Sequence, residues 1–192
     1  SSSSTAVGLL KNLFFRKKSV ISKYRLAQEA FKIEREILKL DGGIQDQIVA
    51  SFGGIVKIKI TKKGNFKVTK QNRQKIEKNL VLIFTKEIRN SDQIIRLQRK
   101  NQDKEKIIKI YDMIKSKTVP MDDALINGNI KKIGKIFDDH WKLKKKLSDK
   151  ISNNYLDKFY TQLMKTKLFY GGKIIGAGGG GFYLMVTKNI KI

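Results

Sequence analysis

Cysteine is missing from all 192 residues, and histidine occurs once, as His140. Disulfide frameworks, thiolate zinc sites and thiol nucleophiles are thereby excluded, and histidine-based metal centres lose nearly all their ligands. No uncharged apolar run reaches the roughly 18–20 residues of a membrane-spanning helix, and no stretch has the layout of a signal peptide. Acidic residues are also few, 17 against 42 basic, which gives a net charge of +25. Such an excess ordinarily points to a nucleic acid or an anionic surface. Two features weaken that reading. Thirty-five of the basic residues are lysine and only seven are arginine, the usual reader of phosphates and base edges. The lysines are also spread along the whole chain, in company with 26 isoleucines and 11 asparagines against six alanines. Lys, Ile and Asn share AT-rich codons, so base composition accounts for the charge without a selected partner. A basic nucleic-acid-binding protein stays as the alternative. The expectation is a cytoplasmic protein with no membrane attachment.

What is present is a folded chain, 40% hydrophobic and 31% charged. Ser1–Leu10 reads as a helix entrance, with hydroxyls to cap free amides and an apolar face behind them. Residues 23–40 form a second helical pattern, stopped by Asp41-Gly42-Gly43, and a short helix is expected over 44–52. Ile55–Ile60 alternates as a strand, and Phe66–Thr69 can pair with it across Lys63-Gly64-Asn65. The uninterrupted run Leu80–Phe84 reads as a strand buried on both faces. One long helix is expected over 91–117, broken before Pro120, with further helices over 129–149 and 153–168. A glycine-rich stretch, 171–181, leads into a last strand, Phe182–Val186. The expected class is α+β, with a boundary near residues 72–79.

Three local signals carry chemistry. Gly176, Gly178 and Gly181 satisfy a dinucleotide fingerprint in spacing, but they enter a strand instead of a helix and no acidic residue follows. The Rossmann reading fails, and no Walker A motif is present. What survives is a backbone that approaches something closely, either a neighbouring strand or a phosphate. The serine run places hydroxyls and amides at a helix N-terminus, where anions bind and where hard oxygen suits magnesium; a plain helix cap is the other reading. Asp46 follows the Gly42-Gly43 turn, twelve residues after Glu34, and is either a cap or a rigidly held ligand contact. His140, mid-helix beside Trp141, reads as structural or substrate-lining rather than as a general base.

In order, Ser1–Leu10, Ile33–Gly54 and Gly171–Val186 resemble the three corresponding regions of the GHMP kinases. Leu82–Thr85 with Arg89 and Ser91, His140–Lys144 and Leu147–Ser152 resemble the sugar branch that contains D-glycero-D-manno-heptose 7-phosphate kinase, and fucokinase-like relatives share much of this. The resemblance runs through essentially all the residues. It implies an ATP- and Mg2+-dependent phosphotransferase acting on a sugar or sugar-phosphate hydroxyl, most like the heptose 7-phosphate case, with a fucokinase or galactokinase type as the variant. By that resemblance Ser1, Ser2 and Ser3 belong to the ATP-phosphate loop, Ser2 and Glu34 to the magnesium site, and Asp46 is the catalytic carboxylate. Arg89 and Lys173 are candidates for the phosphate end of the acceptor. Gly176, Gly178, Gly179 and Gly180 match the family's third motif. The implied fold is part of a ribosomal-S5-domain-2-like domain over 1–75 and a ferredoxin-like C-terminal domain over 76–192. The family's first motif and the lead-in to the serines would lie before Ser1. The expectation is therefore a kinase lacking its N-terminal segment, inactive alone, whose exposed sheet edges favour a homodimer or a complementing segment.

Overall fold

The computed structural model describes residues 2–61, 63–70, 76–88 and 91–188, with the side chains of Lys70 and Asp92 set aside. Its packing divides the chain into two compact units, Ser1–Gln71 and Asn72–Ile192. The class is α+β, as expected.

In the first unit, α1 (Ser2–Arg16), α2 (Lys23–Lys32) and α3 (Gln45–Phe52) pack around Val7, Leu26 and Ala30. Ser22 caps α2 by accepting a hydrogen bond from the Arg25 amide at 3.2 Å, which satisfies a free helix-end N–H. Ala27 and Ala30 are fully buried, so the helix backbones approach closely where a larger side chain would hold them apart. The expected helix over 23–40 does not run through. It continues past Lys32 as a π-helical turn, Ile33–Ile37, and ends before the Gly42 turn. Strands β1 (Val56–Ile60) and β2 (Phe66–Lys70) form an antiparallel hairpin in the register Val56↔Lys70 to Ile60↔Phe66. Tyr24 of α2 fastens this hairpin to the helices. Its ring stacks on Phe66 at 5.4 Å and meets Phe52 edge-on at 5.0 Å, and its hydroxyl accepts from the Val68 amide at 3.3 Å.

The second unit is built on an antiparallel sheet of order β3-β5-β4, from β3 (Leu80–Phe84), β4 (Phe169–Ile174) and β5 (Phe182–Thr187). Helices α4 (Ser91–Asn101), α5 (Glu105–Ser116), α6 (Thr118–Ile126), α7 (Ile130–Lys145) and α8 (Asn154–Lys165) complete it. The main core joins Ile94, Ile107, Ile110, Trp141, Leu156 and Tyr183, among others. Tyr183 meets Trp141 edge-on at 6.0 Å and donates its hydroxyl proton to the Leu156 carbonyl at 3.1 Å.

Two sequence expectations are corrected here and a third is qualified. The helix over 91–117 is two helices, parted at Gln102–Lys104 by a tight turn in which Gln102 N–H bonds the Arg99 carbonyl. The break before Pro120 falls at Lys117 as expected, but a helix resumes at once and Pro120 sits in the first turn of α6, where its missing N–H would have had no helical partner. Leu80–Phe84 is not buried on both faces. Among the described residues it pairs only with β5, and Leu82 and Phe84 are 58% and 48% exposed. The start of the stretch read as glycine-rich, 171–181, lies in β4. Its glycines are there for packing: a Cβ on Gly134 of α7 would overlap Tyr170, and one on Gly171 would overlap the Gly134 carbonyl. Helix and strand therefore touch backbone to backbone.

Gly8 provides the contrast, since a Cβ there meets nothing within 4 Å. Gly171→Ala should lower stability by about 1–3 kcal/mol through overpacking, added to the strain of its φ of +151°. Gly8→Ala should raise it by about 0.5–1 kcal/mol, the helix-interior difference between the two residues. Thermal unfolding of the two variants beside the parent chain checks both signs.

Candidate active site

Three helix ends meet in the first unit. The N-terminus of α1 brings Ser2 and Ser3, the π-helical turn brings Glu34, and the N-terminus of α3 brings Asp46 and Gln47. A π turn adds a residue to one turn of helix and commonly marks a functional position; here it carries Glu34, the one acidic side chain among the described residues that is turned fully inward. Glu34 is 1% exposed, Ser3 5% and Gln47 0%. Ser3 Oγ donates to Glu34 Oε2 at 2.9 Å, and Gln47 Nε2 donates both to Ser3 Oγ at 3.2 Å and, through a very short contact, to Glu34 Oε2.

A buried carboxylate is costly unless its charge is answered. Burial pushes the Glu34 carboxyl pKa upward, but interactions with the Ser2, Ser3 and Gln47 side chains and the Arg35 charge outweigh it. The net effect holds the group below its ordinary value, so it stays ionised at neutral pH. The helix dipole of α1 adds positive potential at Ser2–Ser3. The next residue, Arg35, fixes the turn between Glu34 and Asp46. Its guanidinium donates to the Leu40 carbonyl at 2.9 Å and the Gly43 carbonyl at 3.4 Å, and lies over the Phe31 ring at 5.5 Å. Gly42 has a φ of +146°, and a Cβ there would come within 2.6 Å of Arg35 Nη2.

The sequence candidates therefore divide. Ser2, Ser3 and Glu34 are brought together, and Asp46 stands exposed at the start of α3 beside Gln47. Arg35 was not singled out in the sequence, and Gln47, which closes the G-x-x-D-Q pattern at Gly43–Gln47, was given no role there. Gln47 lies on the inward side of α3 with Ile48. Ser1 and Arg89 lie outside the described residues.

Lys173 and the glycine run belong to the second unit. Gly178 and Gly180 are spoken for by packing: Gly179 N–H bonds the Ile151 carbonyl at 2.8 Å, Gly181 N–H bonds the Glu87 carbonyl at 2.9 Å, and Cβ atoms at 178 or 180 would crowd those two backbones. Gly176 and Gly179, with φ of +76° and +71°, keep some exposure. Lys173 is half-buried over the Phe137 ring at 5.6 Å, and burial pushes its ammonium pKa down. His140 is close to it. Burial, with the Lys173 and Lys144 charges, holds the imidazole at about 3, and its Nδ1 is buried without a hydrogen-bond partner among the described residues. A group that stays neutral there is a poor proton acceptor at pH 7.

No family profile matches the chain. Over 195 aligned residues it is 30% identical to the D-glycero-alpha-D-manno-heptose 7-phosphate kinase of Campylobacter jejuni, covering 99% of this chain and 57% of that enzyme. A D-glycero-D-manno-heptose 1-phosphate kinase from Bacteroides thetaiotaomicron superposes with a TM-score of 0.73 at 23% identity, over 98% of this chain and 52% of that one. The chain has the GHMP kinase fold. Mevalonate kinase from L. major, solved with R-mevalonate, has the same fold at a TM-score of 0.77 and 18% identity, covering 98% of this chain and 56% of that one. The chain thus spans a little over half the length of these GHMP kinases. Among its described residues no helix is long and apolar enough to cross a membrane.

The His140 environment has a consequence for stability. Its folded pKa of about 3 lies below the ordinary 6.5, so between those values the unfolded state binds the proton and the folded state does not. Stability contributed by keeping His140 neutral is whole above pH 6.5 and drains away as the pH falls towards 3. In His140→Asn the drop in melting temperature between pH 7 and pH 4.5 should be smaller than in the parent chain. Equal drops would show that His140 titrates freely.

Proposed function

We propose that these residues carry the nucleotide-phosphate and metal half of a cytoplasmic, ATP-dependent sugar kinase whose acceptor is a heptose phosphate, D-glycero-D-manno-heptose 7-phosphate. The observation that carries it is an ionised, fully buried carboxylate at a helix N-terminus, with one oxygen, Oε1, buried and without a hydrogen-bond partner among the described residues. A buried charge with a spare lone pair fits a hard cation. One carboxylate and one hydroxyl, Glu34 and Ser2, match the sparse protein coordination of magnesium, which keeps water and phosphate oxygens for its other positions. When bound, magnesium would supply neutralisation of charge on the transferring phosphoryl oxygens.

The chain's own groups do the remainder. Amides at the start of α1 and the Ser2 hydroxyl hold nucleotide phosphates by charge and hydrogen bonding; Ser1 is assigned with them, and Ser3, whose hydroxyl proton goes to Glu34, supports them. Asp46, exposed at the start of α3, orients the acceptor hydroxyl and takes its proton as that oxygen bonds to the γ-phosphorus and ADP leaves. Arg35 keeps the Asp46 turn at a fixed span from Glu34. In the second unit Gly176, Gly178, Gly179 and Gly180 form the third motif, and Lys173 and Arg89 are assigned to the phosphate already on the acceptor. A half-buried ammonium backed by an aromatic ring and without a carboxylate partner among the described residues suits that role. Heptose phosphate is preferred to fucose because the identity with the Campylobacter enzyme, 30%, exceeds the 27% with an Arabidopsis thaliana bifunctional fucokinase/GDP-fucose pyrophosphorylase, each over 99% of the chain.

Asp46→Asn in the whole protein that carries these residues keeps the side-chain size and loses the proton acceptor. ADP release with ATP and the heptose phosphate should fall by about 10²–10⁴-fold in kcat, with ATP affinity within twofold of the parent. A variant with parental kcat would assign the proton transfer elsewhere. Glu34→Gln should raise the magnesium concentration needed for half-maximal rate, and an unchanged metal titration would remove Glu34 from the site. The +25 charge keeps one rival alive. Tight duplex binding whose affinity falls steeply with salt, in a protein that phosphorylates no sugar, would favour it.

A further inference from the structure

The hydrogens of the Ser3–Glu34–Gln47 cluster can be followed one by one. Ser3 has a single hydroxyl proton, which goes to Glu34 Oε2 at 2.9 Å. The Gln47 Nε2 group donates to Glu34 Oε2 and also approaches Ser3 Oγ. Glu34 Oε2 thus accepts two hydrogen bonds. Two acceptors are left over, Glu34 Oε1 and Gln47 Oε1. Each is buried and unpartnered among the described residues. The amide orientation is not arbitrary, because the flipped Gln47 would set its oxygen against a carboxylate oxygen and a hydroxyl whose proton is already committed.

We infer that Gln47 is a positioning residue for the metal site: together with Ser3 it occupies Oε2 of Glu34 and reserves Oε1 as the single oxygen offered to the cation. This rests on the kinase reading above and deepens it. A carboxylate free to rotate can present either oxygen, or both at once. One with Oε2 tied by two donors can present only the other, in one orientation. The same tie links α3 to the π-helical turn, so the peptide that carries Gln47 also sets where its neighbour Asp46 stands. A merely structural role does not account for the arrangement. A buried carboxamide kept only for packing would be expected to satisfy its own oxygen, and an apolar residue of that size would fill the space without leaving two orphan acceptors.

The probe is Mn2+ in the presence of a non-hydrolysable ATP analogue, followed by the electron-spin-resonance signal of free Mn2+. The whole protein is compared with Gln47→Met, which is similar in length and apolar, and Gln47→Asn, which keeps the amide but shortens its reach. Affinity for the analogue without metal and the melting temperature are recorded for each. In both variants Mn2+ affinity should fall by about 10–100-fold, the usual effect of removing a group that orients a metal ligand, with metal-free analogue affinity within twofold of the parent. A folded variant that binds Mn2+ within twofold of the parent overturns the inference alone. So does a loss of metal-free analogue affinity in step with the loss of metal, which would mark Gln47 as structural. If the parent protein holds no Mn2+ with the analogue, the kinase reading falls and takes the inference with it.

Discussion

An ionised carboxylate has been taken out of water at Glu34, and much of the first unit is arranged to make that tolerable. An isolated buried charge costs several kcal/mol even after relaxation, while a hydrogen bond to a charged group returns only about 1.5–3 kcal/mol. A single donor is therefore insufficient, and three helix ends have to converge. That requirement explains why α2 passes into a π turn and why a polar residue, Gln47, is completely enclosed on α3. It also explains the small residues between the helices. Ala27 and Ala30 let α2 come close enough for side chains as short as serine to reach the carboxylate.

The second unit answers a different constraint, the close approach of backbone to backbone. Gly134 and Gly171 let α7 lie directly on β4, while Gly178 and Gly180 let the loop before β5 rest on the backbones of Ile151 and Glu87. Those contacts leave little freedom in the strand-flanking loop, which is what a ligand-facing backbone needs if it is to be preorganised. The glycine run has therefore two tasks divided among its members. Gly178 and Gly180 hold the loop in place, and Gly176 and Gly179 remain partly open.

Much of the fold was readable from hydrophobic period and turn residues. The hairpin β1–β2, the strand β5, the start of α1 and the helices α3, α7 and α8 were all anticipated within a few residues. Errors fell where tertiary context overrides the local signal. Leu80–Phe84 is apolar at every position, and apolarity alone cannot tell a central strand from one that pairs on a single side. Pro120 marks a break but does not bar a helix that starts just before it, because its position within the helix is not a property of proline. Gly171 and Gly172 are poor strand formers in isolation, yet they are in β4 because any side chain at 171 would strike α7.

The sequence by itself determined the ordered set of chemical groups: a serine run, a glutamate, an aspartate after a double glycine, and a terminal glycine run before a strand. Order and spacing are covalent properties, so a family resemblance could be drawn from them without coordinates. Only the tertiary structure decided which of these groups share a microenvironment. Glu34 and Gln47 are thirteen positions apart and Ser3 is thirty-one from Glu34, and nothing in their local sequence distinguishes a buried, hydrogen-bonded glutamine from a solvated one. Burial depends on what packs from elsewhere in the chain, and it is burial that turns an ordinary carboxylate into one with a fixed charge and a single spare oxygen.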